Sequence, residues 1–209
     1  MINTILVEDD RFIQEYFSNM LAADDEFYLV AAVRDAFEAE KLCGGNIDLV
    51  LMDVQTLHRH SGLAAGKRIR EAWPHIKVVI TTSLVDPEVL ARAKAGCADS
   101  LWYKDHGSDE LMDVIRRTLQ GERVFPDEAP PVELEQILSG DIAPVQLEIL
   151  RCYIRGMTYS EIGEKFGITS DGARWHIREL VKKCGFNNKE ELIAAVISSK
   201  LIITTLKEE

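Results

Sequence analysis

The sequence predicts a five-stranded parallel α/β domain followed by a small all-α domain. Three observations carry this. Over residues 1–120, short runs rich in Val, Ile and Leu alternate with amphipathic stretches. Prolines and acidic residues then interrupt the pattern, and from residue 141 onward the periodicity is helical alone.

The apolar runs are Thr4–Val7, Phe27–Val33, Ile47–Met52, Lys77–Thr81 and Ser100–Tyr103. Helix-like segments lie between and after them near 11–23, 35–43, 62–72, 86–95 and 108–120. Strict alternation of this kind predicts a parallel sheet covered on both faces, because each return to a parallel strand needs a crossover helix. The unbroken run at 47–52 reads as its central, fully buried strand. Residues 121–140, with Pro126, Pro130 and Pro131, read as a linker carrying a short helix near Val132–Leu138. Residues 141–209 then read as helices over Pro144–Arg155, Tyr159–Phe166, Ser170–Cys184 and Lys189–Leu201, stopped at Gly156, Gly167 and Gly185.

Apolar residues make up 46% of the chain and charged residues 28%, a balance that supports a packed core rather than disorder. No apolar run is long enough to span a bilayer, and the start runs directly into Glu8, Asp9 and Asp10 without a signal-peptide pattern, so a cytoplasmic location with no membrane partner is expected. Cys43, Cys97, Cys152 and Cys184 are scattered without a CxxC pair, which suggests neither zinc nor a disulfide framework. Net charge is −11, and it is unevenly distributed: residues 1–140 hold 14 Lys and Arg against 25 Asp and Glu, residues 141–209 hold 10 against 10. The excess acid therefore does not weigh against nucleic-acid binding by the helical part.

In a parallel α/β sheet, ligands bind at the carboxyl ends of the strands. There the first strand delivers Glu8 and Asp9, the third Asp53, the fourth Thr82 and Ser83, and the fifth Lys104. Clustered carboxylates call for a hard cation such as Mg²⁺, whereas a lysine and a hydroxyl suit the oxygens of a transferred phosphoryl group. The chemistry this set assembles is attack of a carboxylate on phosphorus. His58 and His60 follow closely but suit a hard-metal site poorly and read as solvated loop residues; His75 and His106 read as loop residues too.

Over residues 1 to about 120, these residue types and spacings resemble the receiver domain of two-component response regulators, a flavodoxin-like fold. The resemblance implies Asp53 as phosphoacceptor with Thr82 and Lys104 as its catalytic partners. It also implies a Mg²⁺ held by Asp9, Asp53 and the Gln55 backbone carbonyl, with Glu8 in the acidic set. Two positions depart from the family: Leu101 replaces the aromatic residue common three before the lysine, and Cys97 stands where glycine is frequent.

The helical end has helix-turn-helix form: a helix from Tyr159, a turn at Gly167, and a second helix capped by Thr169 or Ser170. On a wheel Ala173, Ile177, Leu180, Val181 and Cys184 share one face. Arg174, Trp175, Arg178 and Lys182 share the opposite one, a basic stripe suited to the major groove. Residues 141–201 resemble the LuxR-type helix-turn-helix of NarL/FixJ response regulators. Here Ala143-Pro144-Val145-Gln146 replaces the usual Thr-Pro-Arg-Glu string, and Gly172-Ala173 the usual Thr-Val, the glycine costing about 1 kcal/mol of helix stability relative to alanine.

The combination implies a response regulator, not an enzyme. Phosphorylation of Asp53 by a sensor histidine kinase would control homodimerisation, through the last helix, and sequence-specific binding of double-stranded DNA. A phosphatase of the haloacid dehalogenase type would also use Asp53, but it needs a second Asp at position 55, which is Gln. A helical domain that binds RNA or protein is the other alternative.

Overall fold

The computed structural model describes residues 1–104, 108–204, 206 and 208; His106 lies outside them. The chain divides into two compact units, residues 1–128 with 205–209, and residues 129–204.

The first unit alternates strand and helix as β1 (Ile2–Val7), α1 (Arg11–Ala22), β2 (Phe27–Val33), α2 (Ala36–Leu42), β3 (Leu49–Asp53), α3 (Gly62–Ala72), β4 (Lys77–Thr82), α4 (Pro87–Arg92), β5 (Ser100–Tyr103) and α5 (Ser108–Leu119). All four strand pairings are parallel, in the order β2-β1-β3-β4-β5. The expected sheet is therefore present. Every residue of central β3 is buried, whereas edge strand β2 alternates. Leu6, Phe17, Leu51, Trp102, Leu111 and Ile115 build the core between the sheet, α1 and α5.

Edge strand β5 is also wholly buried, and the reason lies beyond α5. The Leu101 amide donates to the Val124 carbonyl at 3.0 Å, and the Val124 amide donates to Ser100 Oγ at 2.9 Å. The first residues of the expected linker thus cover an edge that would otherwise offer unpaired backbone groups. The division between units accordingly falls at 128/129, not at the ends of the expected 121–140 segment.

In place of the short helix expected near 132–138, the second unit opens on an antiparallel hairpin of β6 (Glu133–Leu134) and β7 (Ile137–Leu138), turned at Glu135 with φ of 49°. Period-two alternation of Val132 and Leu134 and a two-residue turn favour strands over a helical turn. Four helices follow: α6 (Pro144–Ile154), α7 (Tyr159–Phe166), α8 (Ser170–Cys184) and α9 (Lys189–Ser198). Thr158 and Glu161 form a capping box on α7, and Thr169 caps α8 by accepting from the Gly172 amide at 3.0 Å. Between them Gly163 is required by close packing: a Cβ there would lie 2.7 Å from the Ile168 carbonyl oxygen. Ala173, Ile177, Leu180 and Cys184 of α8 are buried and Val181 is partly so, while Arg174, Trp175, Arg178 and Lys182 are exposed.

Candidate phosphoacceptor site and nucleic-acid interface

Strand register assembles the first site. Val7 pairs with Met52, Asp53 with Thr81, and Thr82 with Tyr103, so Glu8, Asp53, Thr82 and Lys104 arrive at one level at the carboxyl edge of the sheet. Lys104 Nζ donates to Glu8 Oε2 at 2.6 Å and to Asp53 Oδ2 at 2.9 Å. The remaining oxygens are held by backbone, Asp53 Oδ1 by the Val54 amide at 2.7 Å and Glu8 Oε1 by the Asp10 amide at 3.2 Å.

Burial and mutual charge govern the electrostatics. Burial and the Asp53 charge push the Glu8 carboxyl up to about 7, against the opposing pull of Lys104. Burial also raises Asp53, while Lys104 and the Val54 amide favour its charged form. For Lys104, burial disfavours the ammonium, but the Asp53 and Glu8 carboxylates outweigh it and its pKa is raised. Glu8, Asp9 and Asp53 each offer an oxygen, and these oxygens lie within 4.8 Å of one another. Three ionised acids against one lysine leave excess negative charge, and an all-oxygen donor set fits a hard divalent ion.

Gln55 is exposed and bridges to Ser61 across the loop after β3. Thr82 is fully buried, and its Oγ1 accepts from the Leu84 amide at 3.1 Å. Leu101 is buried, and the aromatic Tyr103 two residues on is buried as well, its hydroxyl without a hydrogen-bond partner among the described residues. Burial, with Asp86 nearby, pushes that phenol up to about 12.

Three contributors escaped the sequence reading. Arg34 donates from Nε and Nη2 to the Asp9 carbonyl, at 3.1 and 2.8 Å, and so fixes the acidic turn. It directly follows β2. A methyl on Gly62, the first residue of α3, would overlap the Asp53 carbonyl oxygen. His60 is not a solvated loop residue: its ring stacks on Phe37 at 4.1 Å and pairs with Asp35 Oδ2 at 2.6 Å, while its carbonyl accepts from Thr56 Oγ1 at 3.0 Å. His58 and His75 are exposed, as expected.

On the second unit, the α8 stripe faces solvent, with Trp175 50% exposed. Arg174 is an exception to free solvation, its guanidinium carbon lying 5.1 Å from the Tyr159 ring centroid.

A doubly covered parallel sheet with Asp53, Thr82, Lys104 and an acidic turn at its carboxyl edge has the form of a receiver. Residues 4–116 match the response regulator receiver domain, and the chain belongs to that family, a family of response regulators rather than of classical enzymes. Over nearly its whole length it is similar to the oxygen regulatory protein NreC of Staphylococcus aureus (strain JH9), 24% identical over 212 residues that cover 95% of this chain and 98% of NreC. Its fold is similar to that of RcsB from Salmonella enterica serovar Typhimurium, solved bound to promoter rprA in the presence of the phosphomimetic BeF3⁻, with TM-score 0.61, 19% identity and coverage of 95% and 99%. It is also similar to ChrA, the response regulator of a heme-sensing two-component system, with TM-score 0.53, 21% identity and coverage of 96% and 98%. Among the described residues no helix is long and apolar enough to cross a membrane.

Proposed function

We propose that this response regulator accepts a phosphoryl group on Asp53 from a sensor histidine kinase in the cytoplasm and, so modified, dimerises and binds double-stranded DNA to regulate transcription. In this reading residues 1–120 carry the phosphoacceptor chemistry, residues 121–140 join the parts, and residues 141–209 carry the DNA contacts. The observation that supports it most is the Lys104 ammonium bonded to both Glu8 and Asp53 at the buried carboxyl edge of the sheet.

The nucleophile is an Asp53 carboxylate oxygen, which must be ionised to attack. Lys104 and the Val54 amide favour that form against burial. As the new oxygen–phosphorus bond forms, the donor's phosphorus–nitrogen bond breaks and its electron pair leaves with the donor imidazole. Lys104 already sits within bonding distance of Asp53 and is placed to pair with a phosphoryl oxygen, and the Thr82 hydroxyl, which accepts from the Leu84 amide, keeps its proton to donate to another. A Mg²⁺ held by Asp9, Asp53 and the Gln55 carbonyl, with Glu8 beside it, would neutralise charge on the transferring oxygens. Position 55 lacks the carboxylate that a phosphatase would need as general acid.

On the second unit the exposed Arg174, Trp175, Arg178 and Lys182 occupy the outer face of the second helix of a helix-turn-helix, the element that enters the major groove. The test is to treat the full chain with acetyl phosphate and Mg²⁺, map the hydroxylamine-labile modification, and compare duplex with single-stranded and RNA probes. Modification away from Asp53, or a preference for RNA, would overturn the corresponding half of the reading.

A further inference from the structure

Four side chains from the four helices of the second unit form one continuous strip. Lys189, which opens α9, donates from Nζ to the Tyr153 hydroxyl of α6 at 2.6 Å, with the same nitrogen 5.0 Å from the Tyr153 ring centroid. Tyr153 and Tyr159 stack at 5.1 Å with their planes 18° apart. Arg174 of α8 covers Tyr159. Two stacked rings thus carry a cation at each end, Arg174 against the Tyr159 ring and Lys189 at the Tyr153 hydroxyl, and the negative face of Tyr159 stabilises the first.

The strip decides where Arg174 can go. It is the fifth residue of α8, in the half of a recognition helix that ordinarily touches base edges, whereas the preceding helix crosses the sugar-phosphate backbone. Tyr159 is the first residue of that preceding helix, fixed by the Thr158 and Glu161 capping box. Stacking draws the Arg174 guanidinium sideways toward α7 while leaving its planar N–H edge free to donate. Asp171 competes only weakly, being 3.7 Å away with its side chain 89% exposed.

We propose that Tyr159, backed by Tyr153 and Lys189, is a positioning residue that holds Arg174 for a DNA backbone phosphate, so that Arg174 anchors the complex and Trp175 and Arg178 are left to read bases. This rests on the DNA-binding reading above. The ring holds one rotamer of a long side chain in advance of binding, so its loss returns the ordering cost to the association step.

The test uses the full chain, acetyl-phosphate treated, and a mixed-sequence duplex of ~30 bp, titrated by fluorescence anisotropy between about 50 and about 200 mM salt. Arg174→Ala should flatten the log affinity versus log salt slope by about 0.9 and weaken all duplexes alike. Tyr159→Ala should weaken binding roughly three- to tenfold, Tyr159→Phe should restore it, and Tyr159→Ala should add nothing in the Arg174→Ala background. Tyr159→Leu, which keeps an apolar contact without a ring face, should show the same loss and serves if the alanine variant unfolds. Wild-type affinity in Tyr159→Leu, or an equal loss with Arg174 present and absent, overturns the positioning role while leaving DNA binding intact. Failure of the unsubstituted chain to bind duplex at all overturns both.

Discussion

Lys104 sits closer to Glu8 than to Asp53, the proposed acceptor, at 2.6 against 2.9 Å. The ammonium is therefore shared with a second buried acid, and the protonation of Glu8 becomes a variable of the site. With its folded pKa raised to about 7 from an ordinary 4.5, Glu8 contributes stability that is fully present below about 4.5 and lost as pH rises through about 7. In thermal melts without divalent metal, the melting temperature should fall as pH rises across that window, and Glu8→Gln should flatten this trend. Mg²⁺ binding should release protons near neutral pH, detectable by calorimetry in buffers of different ionisation enthalpy; binding without proton release would contradict the role given to Glu8.

Asp53 alone ends the buried central strand against the acidic turn. Asp53→Asn should abolish acetyl phosphate labelling, read by intact mass. Undiminished, hydroxylamine-labile labelling in that variant would place the acceptor elsewhere.

Thr82 Oγ1 accepts from the Leu84 amide in this structure, so its own proton can be donated to a phosphoryl oxygen and carry the change into that turn. Thr82→Ala should uncouple whatever Asp53 labelling it retains from dimerisation, measured by light scattering before and after acetyl phosphate. Normal phosphate-driven dimerisation in the variant would remove Thr82 from the switch.

Gly62 has no room for a side chain beneath the Asp53 carbonyl. Gly62→Ala should destabilise the chain by about 1–3 kcal/mol, the ordinary cost of overpacking, and slow labelling as well. A denaturant midpoint and labelling rate equal to wild type would show that the approach is looser than described.

On α8, Lys182→Ala should weaken all duplexes alike and flatten the salt slope by about 0.9, whereas Trp175→Ala should relax preference at one or two base pairs. Selection from a random duplex pool separates the two. If Arg174, Trp175 and Arg178 can all be changed to alanine with affinity and salt slope unaltered, this face does not contact DNA.

Much of this arrangement was legible because it depends on order along the chain. Five apolar runs and the polar residues after four of them fix a sheet and the occupants of its edge, and the α8 wheel separates Ala173 and Ile177 from Arg174 and Arg178 by angle alone. The illegible parts depend on contacts between distant segments. Nothing local distinguishes Val124, which seals β5, from its linker neighbours. His60 becomes a braced residue only when Phe37 and Asp35 arrive from the start of α2. Hairpin 133–138 is too short for its period to exclude a helical turn, and the Tyr153–Tyr159 stack exists only once α6 and α7 have packed.

The contact between Gly62 and the Asp53 carbonyl divides the site into a stiff flank and a compliant one. Beside Asp53, the Gly62 amide donates to the Val54 carbonyl at 2.9 Å and Ser61 caps α3, so strand end and helix start share one seat with no clearance for sliding. On the β4 side, among the described residues, a bond from the Leu84 amide restrains the Thr82 hydroxyl. If Asp53 is phosphorylated as proposed, the close Gly62 contact would resist movement on the α3 side, and the displacement would be taken up in the Thr82–Leu84 turn, toward α4.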